Sequence, residues 1–259
     1  GGPVADRPEI EHRWVRRALS AHARPGRSAA LQDYVGSPLP TLAVPAPDLH
    51  RIVGEFRRRN GPRTSAELRP LLERLWSGAT FEERIVAIEL LDRYVEAHDR
   101  AAWRLAGSWV DEATGWGLSD SLAAGPIARM VADEPRRFSD VLRWTRSRNL
   151  WRRRASTYAL HDLVLDSDLD RPFILLRRLE ADPEFWVQRA VGTWLRECWK
   201  KDARRTERFL RDRAHMIATV ALTVATERAP RSLRAELRAA RVASRRPPGR
   251  GHPHMRRAR

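Results

Sequence analysis

Apolar positions recur along this chain at spacings of three and four residues almost throughout. In residues 80–98, TFEERIVAIELLDRYVEAH, the side chains of Ile85, Ile88, Leu91, Tyr94 and Val95 fall on one stripe, with Thr80 and Glu83 ahead of it at capping-box spacing. That pair predicts a helix beginning after Thr80, because a hydroxyl and a carboxylate placed so satisfy backbone N–H groups that a first turn leaves unpaired. The same grammar, a polar cap and then an apolar stripe, recurs from Thr64 through Trp76 and from Arg171 through Leu179. No segment alternates apolar and polar residues between turn signals as a strand would. Pro and Gly instead punctuate short connections at 36–47, 60–63, 133–135 and 181–184. The pattern predicts an all-α chain.

An internal echo refines that prediction. NLWRRRA at 149–155 and EFWVQRA at 184–190 align Trp151 with Trp186, Arg154 with Arg189 and Ala155 with Ala190 at a constant offset of 35, and EERIVA at 82–87 is a weaker third copy. A period of this length suits a HEAT-like helical-repeat solenoid of stacked antiparallel helix pairs, whose inner helices line a concave groove.

Charge says what such a groove would hold. The 259 residues carry a formal net charge of +16, and of the 49 basic residues only Lys200 and Lys201 are lysine. A basic concave surface suits a polyanion, above all a nucleic-acid duplex; the alternative is a solvated surface written by an arginine-favouring codon bias. The stretch from Arg241 to Arg259 holds seven arginines and no acid. We therefore expect a flexible N-terminal segment at 1–9, one repeat domain at 10–230 and an arginine-rich, disordered tail at 231–259. The lone cysteine, Cys198, cannot close an internal disulfide and reads as structural. The chain has no apolar run of the roughly 18 residues a membrane span needs, which points to a soluble, cytoplasmic protein. Scattered histidines form no zinc-ligand pattern, and neither a phosphate-cradling Gly-x-x-x-x-Gly-Lys loop nor a Gly-x-Ser-x-Gly elbow occurs, so no metal or cofactor is expected.

Two places remain as candidate chemistry. In GWGLSD, Trp116 and Asp120 are four apart, and on a helix their side chains would be about 5–6 Å from each other. The plain alternatives are a helix N-cap for Asp120 and a core wedge for Trp116. In RWTRSRNLWRRRAS at 143–156, six arginines and no acid surround Trp144 and Trp151. A one-sign patch lacks a counter-charge, which makes Arg148, Arg152, Arg153 and Arg154 candidate phosphate contacts, with Arg189 added by the echo; the alternative is a solvated face.

These elements resemble the AlkD-like DNA alkylation-repair glycosylases, HEAT-like all-helical proteins that excise alkylated purines from duplex DNA. GWGLSD is similar to that family's Trp-x-x-x-Asp element, NLWRRRA to its Trp-x-x-Arg-Ala element, and EFWVQRAVGTWLRE to the helix ending in Leu-Arg-Glu. Weaker similarity in LQDYVGSPLPTLAVPAPDLHRIV and RLWSGATFEERIVAIELLDRY extends the likeness over residues 10–230. The resemblance implies that Trp116 packs against the sugar of the damaged nucleotide, that Asp120 is the catalytic carboxylate, that Arg154 holds a backbone phosphate and that Tyr34 sits at the groove edge. The family has a second active-site tryptophan directly after the Gly of the Gly-Trp-x-Leu-Arg-Glu run; here Thr193 follows Gly192 and the indole, Trp194, comes one residue later. One helical step is about 100°, so either the helix is rotated or the site has one aromatic wall fewer.

The function so implied is hydrolysis of the N-glycosidic bond of cationic N3- or N7-alkylated purines in double-stranded DNA. It would proceed without a cofactor or a tight base-flipping pocket, by a nucleoid-associated bacterial monomer. Bulky natural-product adducts would be admissible substrates, which suggests self-resistance. Two other readings stay open: a non-catalytic DNA binder of the same fold, and a scaffold for RNA or an acidic protein.

Overall fold

The computed structural model describes residues 6–244. Among them the regular structure is helical, without strands: α1 (Arg7–Ala21), α2 (Ser28–Val35), α3 (Ala46–Asn60), α4 (Ser65–Trp76), α5 (Phe81–Arg93), α6 (Arg100–Glu112), α7 (Trp116–Leu122), α8 (Ala128–Asp133), α9 (Phe138–Trp144), α10 (Leu150–Tyr158), α11 (His161–Leu165), α12 (Asp170–Leu179), α13 (Phe185–Lys201), α14 (Ala203–Arg213), α15 (Thr219–Ala225) and α16 (Arg231–Ala243). Two compact units divide within α12, after Arg177. The single repeat domain expected over 10–230 is thus two bodies.

In the first unit, local chemistry starts the helices where the pattern predicts. Thr64 and Thr80 each complete a capping box, with Glu67 and Glu83. Helix α5 nevertheless ends at Arg93, earlier than the apolar stripe suggests. The His98 ring meets the Leu91 carbonyl at 2.7 Å, answering an acceptor that the last turn leaves open, and Asp99 already caps α6. Ile85, Ile88, Leu91 and Tyr94 are buried as the stripe requires, whereas Val95 sits in the 3₁₀ turn that follows and is exposed.

Side chains one repeat apart then tie the helices together. Trp76 donates its indole N–H to Glu112 at 3.0 Å and Trp103 donates to Asp140 at 2.9 Å, spans of 36 and 37 residues. Arg129 reaches Asp92 across 37 residues, and Ser65 bonds Asp99 across 34. The same tryptophans stack in parallel pairs, Trp76 on Trp109 at 4.5 Å and Trp103 on Trp144 at 5.9 Å between centroids. The echo falls on matching positions, since Trp151 and Trp186 are each the second residue of their helices, α10 and α13. The third copy is out of step: Ala87 is buried like Ala155 and Ala190 but stands one residue further into its helix.

In the second unit, α13 lies against α15 at Gly192, where a Cβ would come within 2.7 Å of the Ala221 carbonyl oxygen and the Val224 side chain. Val187, Ala190, Val191, Leu195 and Cys198 fill the core beside it. Burial pushes the Cys198 thiol up to about 12, so it is not a nucleophile at neutral pH. Arg231–Ala243 forms α16, although this stretch begins the expected tail: Leu233 and Leu237, four apart, bury one stripe, and this outweighs the arginine content. The rest of the expected tail, and the first residues of the 1–9 segment, lie outside the described residues.

Candidate active site

Helix α7 is short because glycine stops it at both ends. Gly115, at φ +84, is its N-cap, and the π turn that follows, Ala123–Ile127, breaks at Gly125 before Pro126. Gly115 also permits a close approach. A Cβ there would lie 2.2 Å from the carbonyl oxygen of Gly36 and 2.8 Å from that of Val35, at the C-terminal end of α2. A Cβ on Gly117 would meet the Val35 side chain at 2.7 Å. The end of α2 is therefore pressed against the start of α7.

That contact places Trp116. Its indole N–H donates to the Tyr34 carbonyl at 2.7 Å, and the Tyr34 ring meets it edge-on at 5.0 Å and 88°. Tyr34 is 69% exposed, so the pair forms an aromatic ledge open to solvent. The core-wedge alternative for Trp116 does not describe this position.

One turn on, Asp120 lies inside α7 and caps nothing, which removes the N-cap alternative. Arg154 of α10 grips it with both prongs, Nε to Oδ1 at 2.8 Å and Nη2 to Oδ2 at 2.7 Å. Their side chains are 15% and 6% exposed. Arg154 Nη2 also donates to the Tyr158 hydroxyl at 3.2 Å, and that hydroxyl is hydrogen-bonded to Asp120. Burial pushes the Asp120 carboxyl above the ordinary aspartate value, against the opposing pull of the Arg154 guanidinium and the Tyr158 hydroxyl. Arg154 loses some preference for its charged form to burial, but its contacts with Asp120 more than restore it, and the guanidinium stays protonated at any working pH. Tyr158 carries no sequence motif. The one signal for it is its i+4 spacing from Arg154 on a helix.

The counter-charge that the run 143–156 lacks arrives largely from one repeat back. Arg152 takes Asp111 in a two-pronged contact at 2.7 and 2.9 Å, bonds the Gly107 carbonyl and lies 5.1 Å over the Trp144 ring. Arg143 pairs with Asp140, and Arg154 with Asp120. Arg153 donates to the carbonyls of Ser147 and Arg148, closing the loop before α10. Arg148 is exposed, and no carboxylate among the described residues pairs with it. The cluster is therefore a set of struts linking repeats plus an exposed arginine at its edge, and not a bare one-sign patch.

In the second unit α13 cannot turn, because its Gly192 face is held against α15. Trp194 is 5% exposed and lies with Ala190, Val191 and Leu195 in that unit's core, which corrects its assignment as a surface aromatic. Thr193 is half-buried and donates to the Arg189 carbonyl at 3.0 Å. Arg189 and Trp186, four and seven residues before it, are exposed. The helix is thus not rotated to bring the indole to the position of Thr193.

The fold and these groups define a class first: an all-helical repeat protein with a half-buried, arginine-clamped carboxylate one turn from an exposed aromatic ledge. The sequence profile of the family described as DNA alkylation repair enzyme matches residues 15–229. The chain belongs to that family. Its fold is similar to that of a protein from Enterococcus faecalis described as a predicted DNA alkylation repair enzyme, at 17% identity and a TM-score of 0.70 over 81% of this chain and 98% of the other. It is also similar to AlkD2 from Streptococcus mutans, at 16% identity and a TM-score of 0.57 over 70% of this chain and 88% of the other. A third, smu.31 from Streptococcus mutans UA159, aligns at 15% identity with a TM-score of 0.59 over 84% and 98% of the two chains. No curated protein matches the sequence. Among the described residues no cluster of His, Cys, Asp or Glu is arranged to hold a metal ion, and no helix is long and apolar enough to cross a membrane.

Proposed function

We propose that the protein is a DNA glycosylase that hydrolyses the N-glycosidic bond of cationic N3- or N7-alkylated purines in duplex DNA. The observation that carries this reading is the Asp120 carboxylate, clamped by Arg154 from one side, partly open on the other, and one turn from the Trp116–Tyr34 ledge. Ordinary glycoside hydrolysis uses two carboxyl groups, one of which protonates the leaving group. An alkylated purine is already cationic. When the bond from the anomeric carbon to the purine breaks, the electron pair goes to the purine, which departs neutral without a proton donor. The sugar is left as an oxocarbenium ion. A single carboxylate stabilises that ion electrostatically and orients a water, whose oxygen bonds to the anomeric carbon while its proton passes to solvent. The face of Trp116 adds cation-π stabilisation to the positive sugar.

Arg154 and Arg148 are the proposed backbone phosphate contacts on the first unit, with Arg189 on the second; Arg152 and Arg153 would act mainly by bracing them. A guanidinium that forks onto a carboxylate fits a phosphate equally well. A duplex phosphate competing for Arg154 would release the negative charge of Asp120 towards the sugar. Such a site touches the sugar and needs no snug base pocket, and the small Thr193 leaves room for bulk, so natural-product adducts and a role in self-resistance follow. One observation favours a second reading, a non-catalytic DNA binder: the Asp120 charge is already neutralised by Arg154. Release of free base from a duplex carrying N7-methylguanine separates the two. Release that Asp120→Asn abolishes supports the glycosylase, and tight binding without release supports the binder.

A further inference from the structure

Arg154 has two employments that exclude each other. Its Nε and Nη2 are both given to Asp120, and the same fork is what a phosphate would take. Once the fork turns to DNA, a carboxylate only 15% exposed would be left without its counter-ion, and such a group tends to take up a proton. A protonated Asp120 cannot stabilise a positive sugar. Something must keep it charged.

The elements packed on α7 are α2, α5, α6, the π turn at 123–127 and α10. Of these only α10 brings titratable or charged groups to Asp120 among the described residues, namely Arg154 and Tyr158. The Tyr158 hydroxyl accepts from Arg154 Nη2 at 3.2 Å, which leaves its own proton to donate to Asp120. Its ring lies 5.0 Å from the Arg154 guanidinium carbon, so the phenol is fixed by that contact as well.

We propose that Tyr158 is a positioning residue for base release, its hydroxyl holding the Asp120 carboxylate in place and ionised while Arg154 engages a phosphate. This rests on the glycosylase reading above. Tyr158 does not touch the nucleotide; it acts through Asp120. No bond to it is made or broken, and it keeps its proton throughout.

Tyr158→Phe tests this, since it keeps the ring and deletes only the hydroxyl. Two quantities are read: the titration of the Asp120 side-chain carbon by ¹³C NMR in the free full-length protein, and the pH profile of single-turnover base release from an N7-methylguanine duplex. Loss of a hydrogen bond to a charged group should move both the titration and the acid limb of the rate upward by about one pH unit, with duplex affinity changed less than about twofold. Site-specific 3-fluorotyrosine at 158, a stronger donor, should move both the other way. An unmoved titration, or a moved titration with an unmoved acid limb, overturns the assignment. If the titration moves but the wild-type protein releases no base, the glycosylase reading has failed and the role in base release falls with it, while the hydroxyl contact itself stands.

Discussion

Asp120 is pulled in two directions, by burial towards its neutral form and by Arg154 and Tyr158 towards its charged one. The balance lies above the ordinary aspartate value, and the proposed chemistry needs the charged form. Activity is therefore present above that raised pKa and lost as pH falls through it, so the acid limb of base release should lie above about 4, where an ordinary aspartate would put it. A single-turnover pH profile flat down to about 4 would contradict the assignment. Removing the carboxylate also strands a guanidinium that is 6% exposed. Asp120→Asn should thus cost about 3 kcal/mol of stability by urea denaturation, and its folding must be verified before its activity is interpreted. Arg154→Ala discriminates between the two partners of that side chain. If Arg154 meets a phosphate in the complex, the slope of log affinity against log salt falls by about 0.9; an unchanged slope means that it stays with Asp120.

The site depends on how α2 meets α7. Gly115 combines a left-handed φ of +84 with main-chain oxygens inside the space that a Cβ would fill, so neither partner can yield as a flexible side chain would. Gly115→Ala should destabilise the first unit by well over about 1 kcal/mol and separate Tyr34 from Trp116, lowering base release even where the protein remains folded. Near-ultraviolet circular dichroism of the aromatic pair reads the separation, and an unchanged signal would sink the idea. Elements of this kind mark the limit of what the sequence discloses. The capping boxes at Thr64 and Thr80 and the pairing of Trp116 with Asp120 on one face were legible, because they depend on neighbours three or four residues away. The early end of α5, the partners of Arg152 and Arg154, and the burial of Trp194 were not, because they are set by His98, by carboxylates about one repeat distant and by the Gly192 contact with α15. Helix α16 was misread because arginine content hid a two-leucine stripe.

Across the whole molecule the periodicity exposed a helical-repeat chain, and the arginine excess pointed to a polyanion. The structure adds that much of this charge is internal bracing, as at Arg63 with Glu11, Arg152 with Asp111 and Arg213 with Glu180. The formal +16 therefore overstates what is available to DNA, and the number of phosphates neutralised should be well below the number of arginines. A chain that neutralises about six phosphates loses on the order of a thousandfold in duplex affinity between about 50 and about 200 mM salt; a nearly salt-independent affinity would argue against a duplex as partner. The most direct test of the central claim is release of free base from duplexes carrying N7-methylguanine or a bulky N3 or N7 purine adduct, comparing the wild-type protein with Asp120→Asn. The prediction is an abasic site from the wild-type protein and none above the spontaneous rate from a folded Asp120→Asn. Equal release by both proteins, or binding by both without release, would contradict it.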